Sequence, residues 1–305
     1  MNKRQKISLG ILFILIVLFL VTKMRNNVEK RVIFFKADST DVAAIEISNI
    51  KDTIRITKTL NAWRFAAPKE FPVSERQIKS FFEKALPAKA SLLPISESEE
   101  SFDTYHVSNS LGSWLKLYDK DDQILDVVIL GKSSFPNTTP VRRPNENKVY
   151  QLEENLSYLI TPKEELWREK TILQIEENNI KKISVIYTNN AYELTSTDSV
   201  WLYTDSKSSL NVDQYNEVLS SMLSALSKIT VSNFINDNYL EYEQKLLSPD
   251  LEIGIELYNG SSSHMRIALD KNSKYVLQLN GNTKYLYSIY KNWIDKFTKE
   301  AMDFK

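Results

Sequence analysis

His106 and His264 are the only imidazoles in a chain of 305 residues that contains no cysteine. Metal binding asks for clustered His, Cys, Asp or Glu, and neither histidine stands at a recognisable ligand spacing. Acyl transfer asks for a serine on a sharp exposed turn such as G-x-S-x-G, with a base and an acid within reach. That turn is missing, so hydrolysis would require one histidine to meet a serine and a carboxylate brought in from remote positions. Glu97, Glu99, Glu100 and Asp103 supply carboxylates, but glycoside cleavage needs two acids facing each other across a cleft, and a Ser/Glu run is normally a solvated face. Among the 6 glycines there is neither a G-x-G-x-x-G nor a Walker loop to cradle phosphates. No residue is therefore assigned to catalysis, metal or cofactor, no cofactor is expected, and the chemistry points to binding.

The candidates for contact with a partner or ligand are basic and aromatic. Residues 131–148, between two apolar runs, include Pro136, Pro140 and Pro144, with Lys132, Arg142 and Arg143 as cations, and read as one long loop. Loops held on a rigid scaffold are a common place for function, and two adjacent guanidiniums suit an anionic ligand. Near the C-terminus, Tyr285, Tyr287, Tyr290, Trp293 and Phe297 are denser than one core stripe requires, which makes Trp293 a further candidate. Trp63, Trp114 and Trp201 stand at strand positions expected to face the core.

What positions these residues is a stretch that occurs twice. Val42, Ile45, Ile47, Ile54, Ile56, Trp63 and Phe65 recur as Ile180, Ile183, Val185, Tyr192, Leu194, Trp201 and Tyr203, each at an offset of 138. Ile78, Phe81, Phe82, Ala85 and Leu86 then meet Tyr215, Val218, Leu219, Met222 and Leu223 at an offset of 137. This reads as an internal duplication. Each copy is expected to run strand, strand, strand, helix, strand, strand, strand, helix. Period-2 alternation marks the strands, and Ser74 with Gln77, Asn211 with Gln214, and Thr161 with Glu164 are the expected helix caps. The second meander is expected at 114–118, 124–130 and 149–152 in copy one, and at 251–258, 264–269 and 275–279 in copy two, with Asn259-Gly260 as a hairpin turn. Residues 286–297 are expected as a terminal helix. The fold class is α+β, two tandem similar domains of antiparallel β-meanders with packed helices, 39–165 and 166–305.

Ahead of them, Lys3, Arg4 and Lys6 precede the apolar run Ile7–Thr22, followed by Lys23 and Arg25. Sixteen helical residues cover about 24 Å, close to a hydrocarbon core of about 30 Å once the flanking lysines snorkel. Residues 1–25 are expected to be an uncleaved single-pass transmembrane signal anchor, with 26–38 as a linker. A cleaved signal peptide lacks a visible small-residue cleavage site here, and a buried core helix is the third option. The short basic head favours the domains outside the cytoplasm. Lys+Arg and Asp+Glu balance at 39 each, so no net field draws in nucleic acid.

The pairs Ile45-Glu46-Ile47 and Ile54-Arg55-Ile56, Trp63-Arg64 running to Pro68, and the Ser74 helix resemble the DUF4340 family of bacterial membrane-anchored proteins. So do the run from Gly131 to Val149-Tyr150-Gln151-Leu152 and the segment Leu166-Trp167-Arg168-Glu169-Lys170. The likeness covers most of residues 40–300. What it implies is an envelope protein encoded beside ABC-type or gliding-motility-like transport systems, with a permease-like membrane partner and no catalytic residues to carry over. The expectation is a non-enzymatic, extracytoplasmic accessory or binding protein of the bacterial inner membrane. A periplasmic ligand- or glycan-binding module and an envelope hydrolase are the alternatives.

Overall fold

The computed structural model describes residues 12–19, 31–60, 62–67, 71–132, 135–188, 190–197, 200–235, 239–270, 274–282 and 285–305. The chain divides into two compact units, Met1–Arg168 and Glu169–Lys305. Each is built mainly of antiparallel sheet with a few short helices, so the α+β class holds.

In the first unit β2 (Ala44–Ser48), β3 (Thr53–Lys58) and β4 (Trp63–Phe65) form the expected meander. Ile45 lies opposite Ile56, and Ile47 opposite Ile54. All four side chains are buried on one face, and a one-residue slip would turn all of them to water, which fixes the register. The sheet continues through β5 (Lys89–Ser91), β6 (Ser113–Tyr118), β7 (Ile124–Leu130), β8 (Thr139–Arg142) and β9 (Val149–Leu152), with β1 (Arg31–Ile33) on the edge. Their order is β1-β5-β9-β8-β7-β6-β2-β3-β4. Helix Glu75–Ser80 runs on into a π-helical turn, Phe81–Ala85, and lays Ile78, Phe81 and Ala85 on the inner face. Trp167, fully buried, closes that core against Phe81 at 6.1 Å, with its indole N–H donating to the Thr161 carbonyl at 3.1 Å.

In the second unit β11 (Ile180–Tyr187), β12 (Asn190–Ser196), β13 (Trp201–Asp205) and β14 (Ser209–Val212) lead to helix Glu217–Ser227. Then come β16 (Asn233–Ile235), β17 (Leu251–Leu257), β18 (Ser262–Leu269), β19 (Tyr275–Leu279) and β20 (Leu286–Ile289), in the order β14-β13-β12-β11-β17-β18-β19-β20-β16. A separate pair, β10 (Thr171–Gln174) and β15 (Lys228–Thr230), sits beside the helix. Read from the β2 and β11 pair outward, the two large sheets have the same order. β5-β9-β8-β7-β6-β2-β3-β4 corresponds strand for strand to β16-β20-β19-β18-β17-β11-β12-β13. Cross-strand partners correspond too: Ile45 opposite Ile56 becomes Ile183 opposite Leu194, and Ile56 opposite Phe65 becomes Leu194 opposite Tyr203.

Several local expectations are corrected. The supposed loop 131–148 contains a strand, β8, so the partner of β19 is β8 and that of β20 is β9. The β8–β9 and β19–β20 connections, 143–148 and 280–285, are then of equal length, and in this stretch copy one is longer only between β7 and β8, 131–138 against 270–274. Residues 286–289 are a strand because they are zipped between β19 and β16; of the expected helix 286–297 only Lys291–Ile294 is α-helical. Ser74 is the N-cap, yet its side chain makes no cap bond; its N–H donates to the Trp167 carbonyl at 2.8 Å instead. Asn211 lies in β14, and the cap is Asn216, whose side chain accepts from the Leu219 N–H at 3.0 Å. The short helix Glu164–Trp167 is capped by Lys163 with no side-chain bond, not by Thr161. Part of the expected linker forms β1. Asn259-Gly260 turns as expected, with Gly260 at φ +82°.

Residues 12–19 are helical and exposed; the remainder of the expected anchor lies outside the described residues. Among the described residues no helix is long and apolar enough to cross a membrane.

Candidate functional site

Strand β6 alternates so that Leu115 and Leu117 enter the main core, which sends Trp114 and Lys116 to the opposite, outer face. Trp114 thus corrects the expectation of a core-facing indole: it packs half-buried against a small separate cluster of Val107, Ile129 and Val149. That cluster is the underside of residues 101–112, which cross the outer face of β6, β7 and β8. Two glycines allow the close approach. A Cβ at Gly131 would stand 1.9 Å from the Tyr105 carbonyl oxygen, and one at Gly112 would stand 2.2 Å from Ile129 Cγ2.

Arg142 is the post that holds this crossing segment. Only 3% exposed, it donates from Nε to the Val107 carbonyl at 2.8 Å and from Nη1 to the carbonyls of Pro144 at 2.9 Å and Arg143 at 3.2 Å. Its Nη2 donates to Asn109 Oδ1 at 2.6 Å, and the guanidinium lies 4.2 Å from the centre of the Phe102 ring. Burial pulls its pKa down, opposed by the Glu99 carboxylate. Arg143 is also spent internally: it pairs with the buried Asp126 and donates to the Phe34 carbonyl at 2.9 Å, and Asp126 in turn accepts the Lys36 N–H at 2.7 Å. The expected anion-binding pair is therefore two structural fasteners: Arg142, the last residue of β8, is buried, and Arg143, just past it, is largely covered and bonded to Asp126 and Phe34. Lys132 is exposed at the end of β7. Trp293, in the second unit, is half-buried at the core margin, with its ring centroid 4.5 Å from that of Phe297 and its N–H donating to the Ala225 carbonyl at 3.3 Å. Within the first unit Arg142 and Arg143 bond to different partners, and Trp293 belongs to the core margin of the second.

What the fastening creates is an open cleft of about 510 Å³, lined by Ser48, Asn49, Ile50, Asn109, Ser110, Trp114 and Lys116. The Trp114 indole is held by its N–H donating to the Asn109 carbonyl at 3.1 Å. Asn109 Oδ1 is taken by Arg142, and Asn49 Oδ1 accepts the N–H groups of Lys51 and Asp52, each at 2.8 Å. Both amides therefore have their acceptor turned inward, and among the described residues neither Nδ2 has a partner. The Lys116 ammonium donates to Glu46 at 2.8 Å, and this bond raises its pKa despite partial burial. Glu46 also meets Arg55 at 3.4 Å and the Tyr118 hydroxyl at 3.4 Å. The cleft is thus rich in hydrogen-bond donors, flanked by one fixed aromatic ring, and close to neutral. It fits an uncharged ligand rich in acceptors. Sequence reasoning missed it, although the Leu115/Leu117 alternation was its signal.

The matching outer face of the second unit differs. Glu252 of β17 holds the position of Trp114, since it pairs with Ile186 of β11 as Trp114 pairs with Ser48 of β2, and helix Tyr239–Leu246 packs against β18. A smaller cleft of about 440 Å³ there is lined by Leu240, Leu246, Leu247, Arg266 and Gln278 among others. His264 is exposed and pairs with Glu252 at 3.0 Å, while its backbone N–H donates to Asn280. His106 is exposed at φ 53°. Among the described residues neither histidine has a serine hydroxyl as a hydrogen-bond partner, and no three His, Asp or Glu side chains gather as a metal site.

A family model described as a domain of unknown function, DUF4340, matches residues 63–249, from β4 to just before β17. The chain belongs to the DUF4340 family. Within this DUF4340 chain the matched residues include Trp114, Asn109 and the Arg142 post, and also the Trp167-Arg168 segment that closes the first core. No curated protein and no solved structure matches it.

Proposed function

We propose that this protein is a membrane-tethered, extracytoplasmic binding protein of the bacterial inner membrane. It works without catalysis, as an accessory of an ABC-type transporter or envelope complex. The observation that carries the reading is the preorganised cleft: Trp114 and Asn109 are fixed by internal bonds before any ligand arrives, so little ordering entropy is lost on binding. Two units of the same strand order, descended from one ancestral unit, form the scaffold, and the basic–apolar–basic leader supplies the tether. Affinity purification from detergent extracts tests this. A permease or ATPase subunit recovered with the wild-type chain and lost with Trp114→Ala supports the proposal, and recovery of neither counts against it.

A second reading, that the cleft holds a glycan, is favoured by the indole face beside two free amide donors. Neutral oligosaccharides should then quench the Trp114 contribution to fluorescence, and Trp114→Ala should abolish that response.

A further inference from the structure

The first unit carries exposed apolar side chains where the chain arrives from its leader. On β1, Val32 and Ile33 are 43% and 57% exposed. Strand β5 runs antiparallel to β1, with Ser91 opposite Arg31. Leu92 and Leu93, the next residues, therefore extend past Arg31 on the side from which the leader enters. They are 50% and 72% exposed. Two exposed cations border the apolar side chains: Arg31 at the Leu92 end, paired with Glu153 at 2.7 Å, and Lys89 opposite Ile33 at the other end of the pair. Exposed leucines and β-branched residues rimmed by cations are what an interfacial membrane contact requires.

The length of chain supplies the occupant. The apolar run ends at Thr22, and the nine residue steps from there to Arg31 reach at most about 30–32 Å even when fully extended. A leader that crosses the bilayer thus keeps Arg31 within that distance of the lipid surface. We propose that Leu92 and Leu93, with Val32 and Ile33, insert into the interfacial layer of the bilayer that holds the leader, fixing the first unit against the membrane by its β1–β5 corner. This rests on the tethering proposed above. The contact orients the sheet by its edge, so that β3 and β4, at the other end of the strand order, stand away from the lipid.

The chain has no cysteine, so single-cysteine labelling of the full-length protein is direct. The protein is reconstituted in vesicles of phosphatidylcholine and phosphatidylglycerol, and a nitroxide is placed at Leu93→Cys or at Leu60→Cys, which is fully exposed between β3 and β4. The proposal expects the Leu93 label to favour oxygen over an aqueous nickel chelate severalfold relative to Leu60, because oxygen concentrates in the apolar layer and the charged or polar chelate stays in water. Adding Leu92→Ser should reduce that ratio severalfold. Equal accessibility at both positions, in protein that floats with the vesicles, overturns this contact alone. Failure to float overturns the tether and, with it, this contact.

Discussion

Replacing Arg142 with alanine discriminates between a fastener and a ligand contact. The side chain donates four hydrogen bonds, three of them to backbone carbonyls, and stacks on Phe102. At a net of about 1 kcal/mol per hydrogen bond and a further ~0.5–1 for the guanidinium–ring contact, the sum is about 4–5 kcal/mol; water entering the vacated space re-solvates part of it, leaving about 3 kcal/mol. For a unit of this size that corresponds to a fall in Tm of roughly 6–12 °C. Denaturation of the full chain in detergent, followed by near-UV circular dichroism, reads the loss of tertiary packing in both units, and the substitution should move the first unit's share of it. Arg142→Lys retains the charge but not the planar fork, and should recover less than half of the loss. If Arg142→Ala melts within about 0.5 kcal/mol of wild type, the size of an ordinary surface change, the post is not structural and the reasoning about the cleft floor is refuted.

Gly131→Ala forces a Cβ against the Tyr105 carbonyl and should cost about 2–3 kcal/mol in urea denaturation, whereas the same change at the open turn of Gly260 acts only through its positive φ. Trp293→Ala should lower the stability of the second unit by about 2–3 kcal/mol, measured by the same denaturation, because its ring fills the core margin beside Phe297. Lys116 has a raised pKa in the folded state, so its pairing with Glu46 contributes fully below the ordinary lysine value of 10.5 and is lost as pH climbs past the raised one. The difference in unfolding midpoint between wild type and Lys116→Met should therefore be flat from pH 7 to 9 and shrink as pH climbs above 10.5; a difference that does not shrink there would remove the ion pair from the account.

The strands that bury one strict face were legible. Ile45, Ile47, Ile54 and Ile56 could satisfy only one register, and their counterparts 138 residues on repeat it. Strand β8 was not, because Thr139-Pro140-Val141-Arg142 is buried along its whole length and mixes a proline with a charge. Arg142 enters that environment only because Val107 and Asn109, more than thirty residues away in sequence, supply its acceptors. The Ser74 box failed for a related reason: a long-range bond from the Ser74 N–H to the Trp167 carbonyl takes the donor that Gln77 would have met. Leu286 and Ile289, three apart, match helical spacing; in the strand they face opposite sides, Ile289 to the main core and Leu286 to a smaller cluster, and only pairing with β16 and β19 reveals it. At the candidate site, Trp114 was visible as a residue but not as a surface; its direction follows from the phase of β6, and its neighbours arrive from the β2–β3 turn and the crossing segment.

Site-specific photo-crosslinking in cells tests the binding account most directly. A benzophenone side chain at Ser110, exposed on the cleft wall, is compared with one at Leu60, exposed but remote in strand order. The account predicts a discrete adduct with a membrane or envelope partner at position 110 and none at position 60. Membrane-localised protein that yields the same products from both positions, or none from position 110, would contradict it.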